Sequence, residues 1–345
     1  MKSIKLSKSQ IGDGNPCYIV AEIGGAFLTF NQAKKLIDSA IDIGVDAVKF
    51  QTLEADTITT KNNVFSFEAT GNASQYEIFK HFELSKKLQK RVVEYAKKKK
   101  IPIFSAPSHI NDLKTLDMLD LPFYKIGSDL ACHIPLLKKI AKKKKPIILS
   151  TGMCTMKEVE ESVSAIKKEG NSKIILMHCV SNYPSHIDEL NLKVIKKMKD
   201  KFQLPVGFSD HTKGNSGILG SVLMGANIIE KHFQDPSNPK GPDDIHSLEK
   251  KQFKELITII RDMEKARGDG KKNPTKSEKK NMATNRVSII AIADIKKGEK
   301  FSLRNIDVRR PGTGLAPKFF EMTIGKKSKI RIKKDQPVTK EKINS

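Results

Sequence analysis

The chain contains no tryptophan, only four cysteines in 345 residues, and no run of about 18 consecutive apolar residues. The missing run excludes a membrane-spanning helix. The polar, lysine-rich stretch from Met1 to Gln10 does not read as a secretory leader, so a cytosolic protein is expected. Cys17, Cys132, Cys154 and Cys179 show no CxxC spacing, which in a cytosolic chain of this size argues against a disulfide framework and for reduced packing thiols. Neither GxGxxG nor GxxxxGK[ST] occurs, so the phosphate loop that an open doubly wound sheet normally carries after an early strand is missing. The lack of tryptophan excludes nothing by itself.

Positive charge, by contrast, is abundant: 63 lysines and arginines face 39 acidic residues, for a net charge of +24. Such an excess can mark a partner rich in phosphate, because neutralising phosphates releases counterions. The densest runs, Lys97 to Lys100 and Lys142 to Lys145, instead close amphipathic helical stretches just before apolar strands, where the helix dipole favours cations. They read as solvated helix ends, and neither nucleic acid nor a membrane is expected as partner.

The length suits one large domain and a small one. From Cys17 to about Ala266, short apolar runs alternate with segments of helical period, as βα units around a parallel sheet do. The strands are expected at Tyr18–Ile23, Ala47–Thr52, Ile101–Ala106, Phe123–Ser128, Pro146–Thr151, Lys173–Cys179, Pro205–Asp210 and Asn227–Phe233. Eight units in ~250 residues point to a closed (β/α)8 TIM barrel over residues 1–267. Two breaks interrupt the rhythm. Leu53 to Gln75 is too long and polar for an ordinary βα loop and is expected to shape a substrate site. Gly268 to Lys280 reads as the start of a linker, placed at 268–284. Residues 285–345 then read as a small β-rich module with strands at Ser288–Ala293, Ile306–Arg309 and Ile330–Ile332.

Barrel chemistry sits at the C-terminal ends of strands. Here those ends carry Glu22, Lys49, Gln51, Ser105, Lys125, Ser128, Ser150, Thr151, His178, Ser209, Asp210, His211, Glu230, Lys231 and His232, a set expected to converge on one mouth. Lysines within apolar strands are costly to bury alone, so Lys49 and Lys125 ask for a phosphate or carboxylate ligand, or for an ion pair with Glu22 or Glu230. A single histidine there would be read as a hydrogen-bonded core residue. Two, His211 and His232, ending neighbouring strands can instead share one divalent cation such as Mn2+ or Zn2+, leaving positions open for water and substrate. His178 reads equally well as packing or function. His81, His109, His133, His186 and His246 have no comparable placement, and Asp243 reads as a loop residue, either turn-forming or hanging over the mouth.

The strand ends Ala21-Glu22-Ile23-Gly24, Val48-Lys49-Phe50-Gln51-Thr52, Tyr124-Lys125-Ile126-Gly127-Ser128, Leu149-Ser150-Thr151-Gly152-Met153 and Gly207-Phe208-Ser209-Asp210-His211-Thr212 resemble the sialic acid synthase family. So do Glu230-Lys231-His232-Phe233 and Gly241-Pro242-Asp243, while Asp294 to Gly298 and Arg309 to Gly314 resemble its C-terminal SAF, or antifreeze-like, domain. The resemblance implies a phosphoenolpyruvate-dependent synthase that condenses an N-acetylated amino sugar, N-acetylmannosamine or a di-acetamido hexose, into a nine-carbon 2-keto sugar acid. It implies a divalent metal on His211 and His232, Mn2+ first, with Mg2+ or Co2+ as alternatives. It gives phosphoenolpyruvate to Lys49, Lys125, Ser128, Ser150, Ser209 and Tyr183, and sugar contact or proton transfer to Glu22, Gln51 and Asp243. Glu22, Lys49 and Lys125 form the implied catalytic group. A homodimer is implied, its SAF domains swapped over the partner's barrel so that Arg310 reaches the sugar's amide substituent.

Two places depart from the family pattern. Gly25-Ala26-Phe27-Leu28-Thr29 stands where an Asn-His-Asn-Gly turn is usual, and Asp129-Leu130 follows Ser128 where a small residue and then an acid are usual. Two rival readings remain: a Schiff-base aldolase or lyase using Lys125 or Lys49, and a non-catalytic protein binding a glycan or polyanion.

Overall fold

The computed structural model describes residues 3–67 and 70–344. Met1, Lys2 and Ser345, at the ends of the two expected domains, and Glu68 and Ala69, in the expected excursion, lie outside them. A hairpin, β1 (Ile4–Leu6) with β2 (Ser9–Ile11), comes first. The barrel strands follow: β3 (Tyr18–Glu22), β4 (Ala47–Thr52), β5 (Ile103–Pro107), β6 (Tyr124–Ile126), β7 (Ile147–Ser150), β8 (Ile174–His178), β9 (Val206–Asp210) and β10 (Ile228–His232). These eight form one sheet in the order β5-β4-β3-β10-β9-β8-β7-β6, with every ladder parallel. The register Tyr18↔Ile228 through Glu22↔His232 joins the first barrel strand to the last. β5 and β6 lie side by side without a ladder, so the barrel is nearly closed, and the expected (β/α)8 fold is borne out.

Each strand is buried on both faces, which is why it reads as an apolar run rather than an alternating one. Side chains nevertheless alternate across it. Tyr18, Val20, Phe104, Phe123, Ile148, Ile175 and Ile228 pack together inside the barrel, whereas Ile19, Ala21, Val48, Phe50, Leu176, Phe208 and Ile229 pack with the helices. The hairpin, which the polar sequence hides, adds Ile4, Leu6 and Ile11 to the inner cluster and covers the barrel's N-terminal end.

The helices are defined by their caps. Thr29 and Gln32 form a capping box at Phe30–Ile43, which ends at Gly44 in the left-handed conformation, and Thr155 with Glu158 does the same for Met156–Lys168. Lys97 to Lys100 are exposed at the end of helix Lys86–Lys98. Lys142 to Lys144, exposed, follow helix Ile134–Ala141, and Lys145 pairs with Asp120 at 2.8 Å.

A second compact unit begins at Asp269. Its first element is a helix, Lys276–Asn285, opened by a Thr275–Glu278 capping box, so part of the expected linker is helical. That helix buries no residue, and its sequence therefore lacks the apolar stripe that marks a helix. β11 (Ser288–Ala291) pairs antiparallel with β12 (Ile306–Arg309) around Ile289, Ile295, Phe301, Ile332 and Val338. The strand expected at Ile330–Ile332 reduces to a single bridge between Ile295 and Ile332.

Candidate active site

The C-terminal ends of the strands open into a cavity of about 570 Å3. Lys49, Gln51, Lys125, Ser128, Ser150, Tyr183, Ser209, His211, His232 and Asp243 all line it. Glu22 lies buried beneath them against Lys49. Arg310 is exposed, in the second unit.

The expectation that every polar strand end meets at the mouth needs correction, because strand parity divides the set. Ser105 turns outward and bonds to Thr52 Oγ1 (2.8 Å), which in turn reaches Gln89 on helix Lys86–Lys98 (2.8 Å). His178 Nε2 donates to the Leu190 carbonyl (2.7 Å), the packing role of its two readings. Lys231 and Asp210, both fully buried, pair at 2.6 Å, and the ammonium also donates to the Thr212 carbonyl (2.6 Å). Asp210 Oδ1 accepts from the Thr212 hydroxyl (2.9 Å), which pins the turn just past His211.

On the floor, Lys125 Nζ donates to both oxygens of Glu230 at 2.7 Å, and Lys49 Nζ lies 3.3 Å from Glu230 Oε1 while also pairing with Glu22. The lysines are therefore ion-paired, yet both still face the cavity. Burial pulls the Lys49 ammonium down to about 8, against the pull of Glu230. Burial opposes ionisation of Glu230, but Lys125 and Lys49 outweigh it and hold that carboxyl well below its usual range.

Above the floor stands a histidine cluster. The backbone after β10 leaves at Phe233 and returns at Leu248, tied by Gln234 N to Leu248 O (3.0 Å) and Leu248 N to His232 O (2.9 Å). The loop so anchored carries Asp243 and His246 over the end of β10. Gly241 lets it approach: a Cβ there would stand 2.3 Å from the Gly25 carbonyl oxygen. Asp243 Oδ2 lies 3.5 Å from His232 Nδ1, and its Oδ1 lies 3.7 Å from His246 Nε2. The ring centres of His232 and His246 are 4.8 Å apart, and that of His211 is 5.7 and 5.8 Å from them. His246, expected to have no such placement, thus belongs to the site. The available signal was its spacing, Asp243-x-x-His246 on one turn just beyond a strand ending in histidine.

His211 Nδ1 donates to the Val180 carbonyl (3.0 Å), which leaves Nε2 free toward the cluster. Burial pushes His211 down to about 4, although that carbonyl opposes the shift, and takes His246 to about 3. His232 falls well below its ordinary value, through burial first and then the neighbouring rings. Neutral imidazole is the form that binds metal. Ligand atoms of His232, Asp243 and His246 lie within 4.8 Å of one another, and both ring nitrogens of His246 are buried without a hydrogen-bond partner. This donor set fits a divalent cation. Burial raises the Asp243 carboxyl to about 7, with Lys49 opposing.

An aromatic wall adjoins the cluster through Tyr183, whose ring lies 4.3 Å from that of His211. Phe65, Phe67, Phe79 and Phe82, all from the segment after β4, line the cavity, and the Phe67 ring lies 4.9 Å from that of Tyr183. Part of this segment is helical, at Ala55–Ile58 and Gln75–Phe82.

The model of the NeuB family matches residues 36–272, and that of the SAF domain matches residues 286–344. The chain belongs to the NeuB family. It is 42% identical over 312 residues to an N,N'-diacetyllegionaminic acid synthase of Campylobacter jejuni, covering 89% of this chain and 93% of that one. Identity to the pseudaminic acid synthase of the same species is 35%, over 94% and 96% of the two chains. Among solved structures, an N-acetylneuraminic acid synthetase from Leptospira borgpetersenii, in complex with citrate, superposes with a TM-score of 0.73 at 34% identity, over 81% of this chain and 95% of that chain. The resemblance read from the strand ends and the tail is borne out, and this NeuB-family chain is an enzyme of the acid-synthase kind.

Both departures from the family pattern border the NeuB cavity. Gly25, in the left-handed region at φ 72°, lines it in place of the usual turn, and Asp129 lines it from an exposed position, so an acid is kept next to Ser128.

No described helix is long and apolar enough to cross a membrane.

Proposed function

We propose that this chain condenses phosphoenolpyruvate with an N-acetylated amino sugar to give a nine-carbon 2-keto sugar acid and phosphate, with a divalent ion, Mn2+ first, on His211 and His232. The observation that carries the reading is the meeting of two buried lysines and a neutral histidine cluster in one cavity. Lys49 and Lys125 take the carboxylate and phosphate of phosphoenolpyruvate, with Ser128, Ser150, Ser209 and Tyr183 around them. Glu230 pairs with both ammonium groups and aims them, so little reorganisation is needed as charge develops. Glu22, Gln51 and Asp243 serve the sugar. Asp243 faces the cavity beside His232, where a carboxyl can hold or give up a proton at the sugar oxygen. The ion supplies Lewis-acid polarisation of the sugar aldehyde. In balance, C3 of phosphoenolpyruvate bonds to the aldehyde carbon, the aldehyde oxygen gains a proton, water adds at C2 and phosphate leaves.

The apolar wall of Phe65, Phe67 and Phe79 suits acetamido methyl groups, and the relative at 42% identity is named for a diacetylated product, so a di-acetamido hexose is the favoured acceptor. Phosphate release with Mn2+, phosphoenolpyruvate and each of three sugars, namely N-acetylmannosamine and the di-acetamido precursors of legionaminic and pseudaminic acid, tests this. Turnover with one of them, abolished by a chelator, is expected; no turnover with any of them overturns the reading in favour of a binding protein. Borohydride trapping with pyruvate separates the remaining rival, since an adduct on Lys49 or Lys125 means an aldolase. In this reading Arg310 serves the sugar from a second subunit. Mixing inactive K125M and R310A chains should then restore part of the activity.

A further inference from the structure

The proposed reaction leaves His246 without a task. Its side chain is buried and neither ring nitrogen has a hydrogen-bond partner, an arrangement that destabilises a fold unless something pairs the nitrogens. The nearest acid does not. Asp243 Oδ1 is 3.7 Å from His246 Nε2, beyond hydrogen-bond range. The ring does face the donors of His232 and Asp243, all within 4.8 Å, and lies 5.8 Å from that of His211. The loop that brings it there is fixed at both ends against β10, so the position does not depend on a free-swinging segment.

We propose that His246 is a third imidazole ligand of the divalent ion, completing a nitrogen-rich site that binds late first-row ions such as Co2+ and Zn2+ more tightly than Mg2+ and than Mn2+, the ion proposed above for the reaction. The inference rests on the proposed metal at His211 and His232 and adds one ligand and an order of preference. Ligand atoms sharing an ion of this size stand roughly 3–4 Å apart, so the donors of His232, Asp243 and His246, within 4.8 Å of one another, need only a small contraction. Each imidazole added in place of water strengthens binding along the series from Mn2+ to Co2+ more than it strengthens binding of Mg2+, which favours oxygen. Asp243, with one oxygen toward each of the two rings, adds negative charge beside the site.

The test is titration of the metal-free, full-length protein with Co2+, Zn2+, Mn2+ and Mg2+ by calorimetry, with the visible spectrum of bound Co2+ as a second readout. The variants are H246A, H246L, H211A and H232A. His246 variants are expected to weaken Co2+ and Zn2+ binding by about 10- to 100-fold, move the Co2+ absorption bands, and change Mg2+ binding little. Melting of metal-free H246L should occur at or above the wild-type temperature, because an unpaired polar group has been removed. That outcome separates a ligand from a structural residue. Unchanged Co2+ affinity and spectrum in H246A, with binding lost in H211A and H232A, overturns this inference alone. Failure of the wild-type protein to bind any of the four ions overturns the metal reading and this inference with it.

Discussion

Lysine meets carboxylate in two buried places near the ends of the barrel strands, and the two places behave differently. Outside the barrel wall, Lys231 and Asp210, both fully buried, satisfy each other and the turn at Thr212. Inside, Lys49 and Lys125 share Glu230, yet both ammonium groups still face an open cavity. Lys231, one position from Glu230 on β10, thus belongs to a fastening on one side of the wall, while Lys49 on β4 and Lys125 on β6 face the cavity with Glu230 on the other. Which role a residue takes follows from strand parity alone.

The contrast can be broken by experiment. The largest effect is expected outside: D210L leaves Lys231 charged, buried and unpaired, and should lower the unfolding free energy by about 3–5 kcal/mol in urea titration. If D210L instead unfolds like the wild type, the fastening role is wrong. K125M should cut phosphate release by ~10²–10³-fold with a smaller loss of stability, since Lys49 still compensates Glu230; equal losses of both would erase the distinction. F67A trims the aromatic wall and should raise KM for the sugar by roughly 10-fold, with the KM for phosphoenolpyruvate unmoved.

The smallest effect concerns pH and the outward face. Burial lowers the pKa of His178, with the Leu190 carbonyl opposing, so below about 6.5 the unfolded chain takes a proton that the folded chain refuses. Stability is therefore full above 6.5 and falls as pH drops toward the folded value. H178Q should flatten this acid slope, as read from unfolding midpoints between pH 7 and 5. An unchanged slope would show that His178 is not responsible.

Much of this was legible beforehand because burial on both faces turns each barrel strand into an apolar run, and all eight lie within two or so residues of where the pattern puts them. His211 and His232 were legible because polar groups ending such runs stand out. Ser105, Asp210 and Lys231 end the same apolar runs as the cavity-facing residues, and only alternation along each strand sets them on the other face. The hairpin escaped because Lys5 and Lys8 dilute its few apolar positions, and helix Lys276–Asn285 escaped because it has no buried side to leave a stripe. His246 escaped because the Asp243-x-x-His246 spacing takes on meaning only through a loop that doubles back to β10.

The ladder between β3 and β10 also sets an order of events during synthesis. Tyr18 to Glu22 emerge early, but one edge of that strand stays unpaired until its partner follows, on the order of 200 residues and tens of seconds later. His232 arrives with that partner, and His246 after it. On the proposed metal reading, a nascent chain therefore cannot hold the ion in this cluster until the barrel is all but complete, and the ion would act on finished molecules.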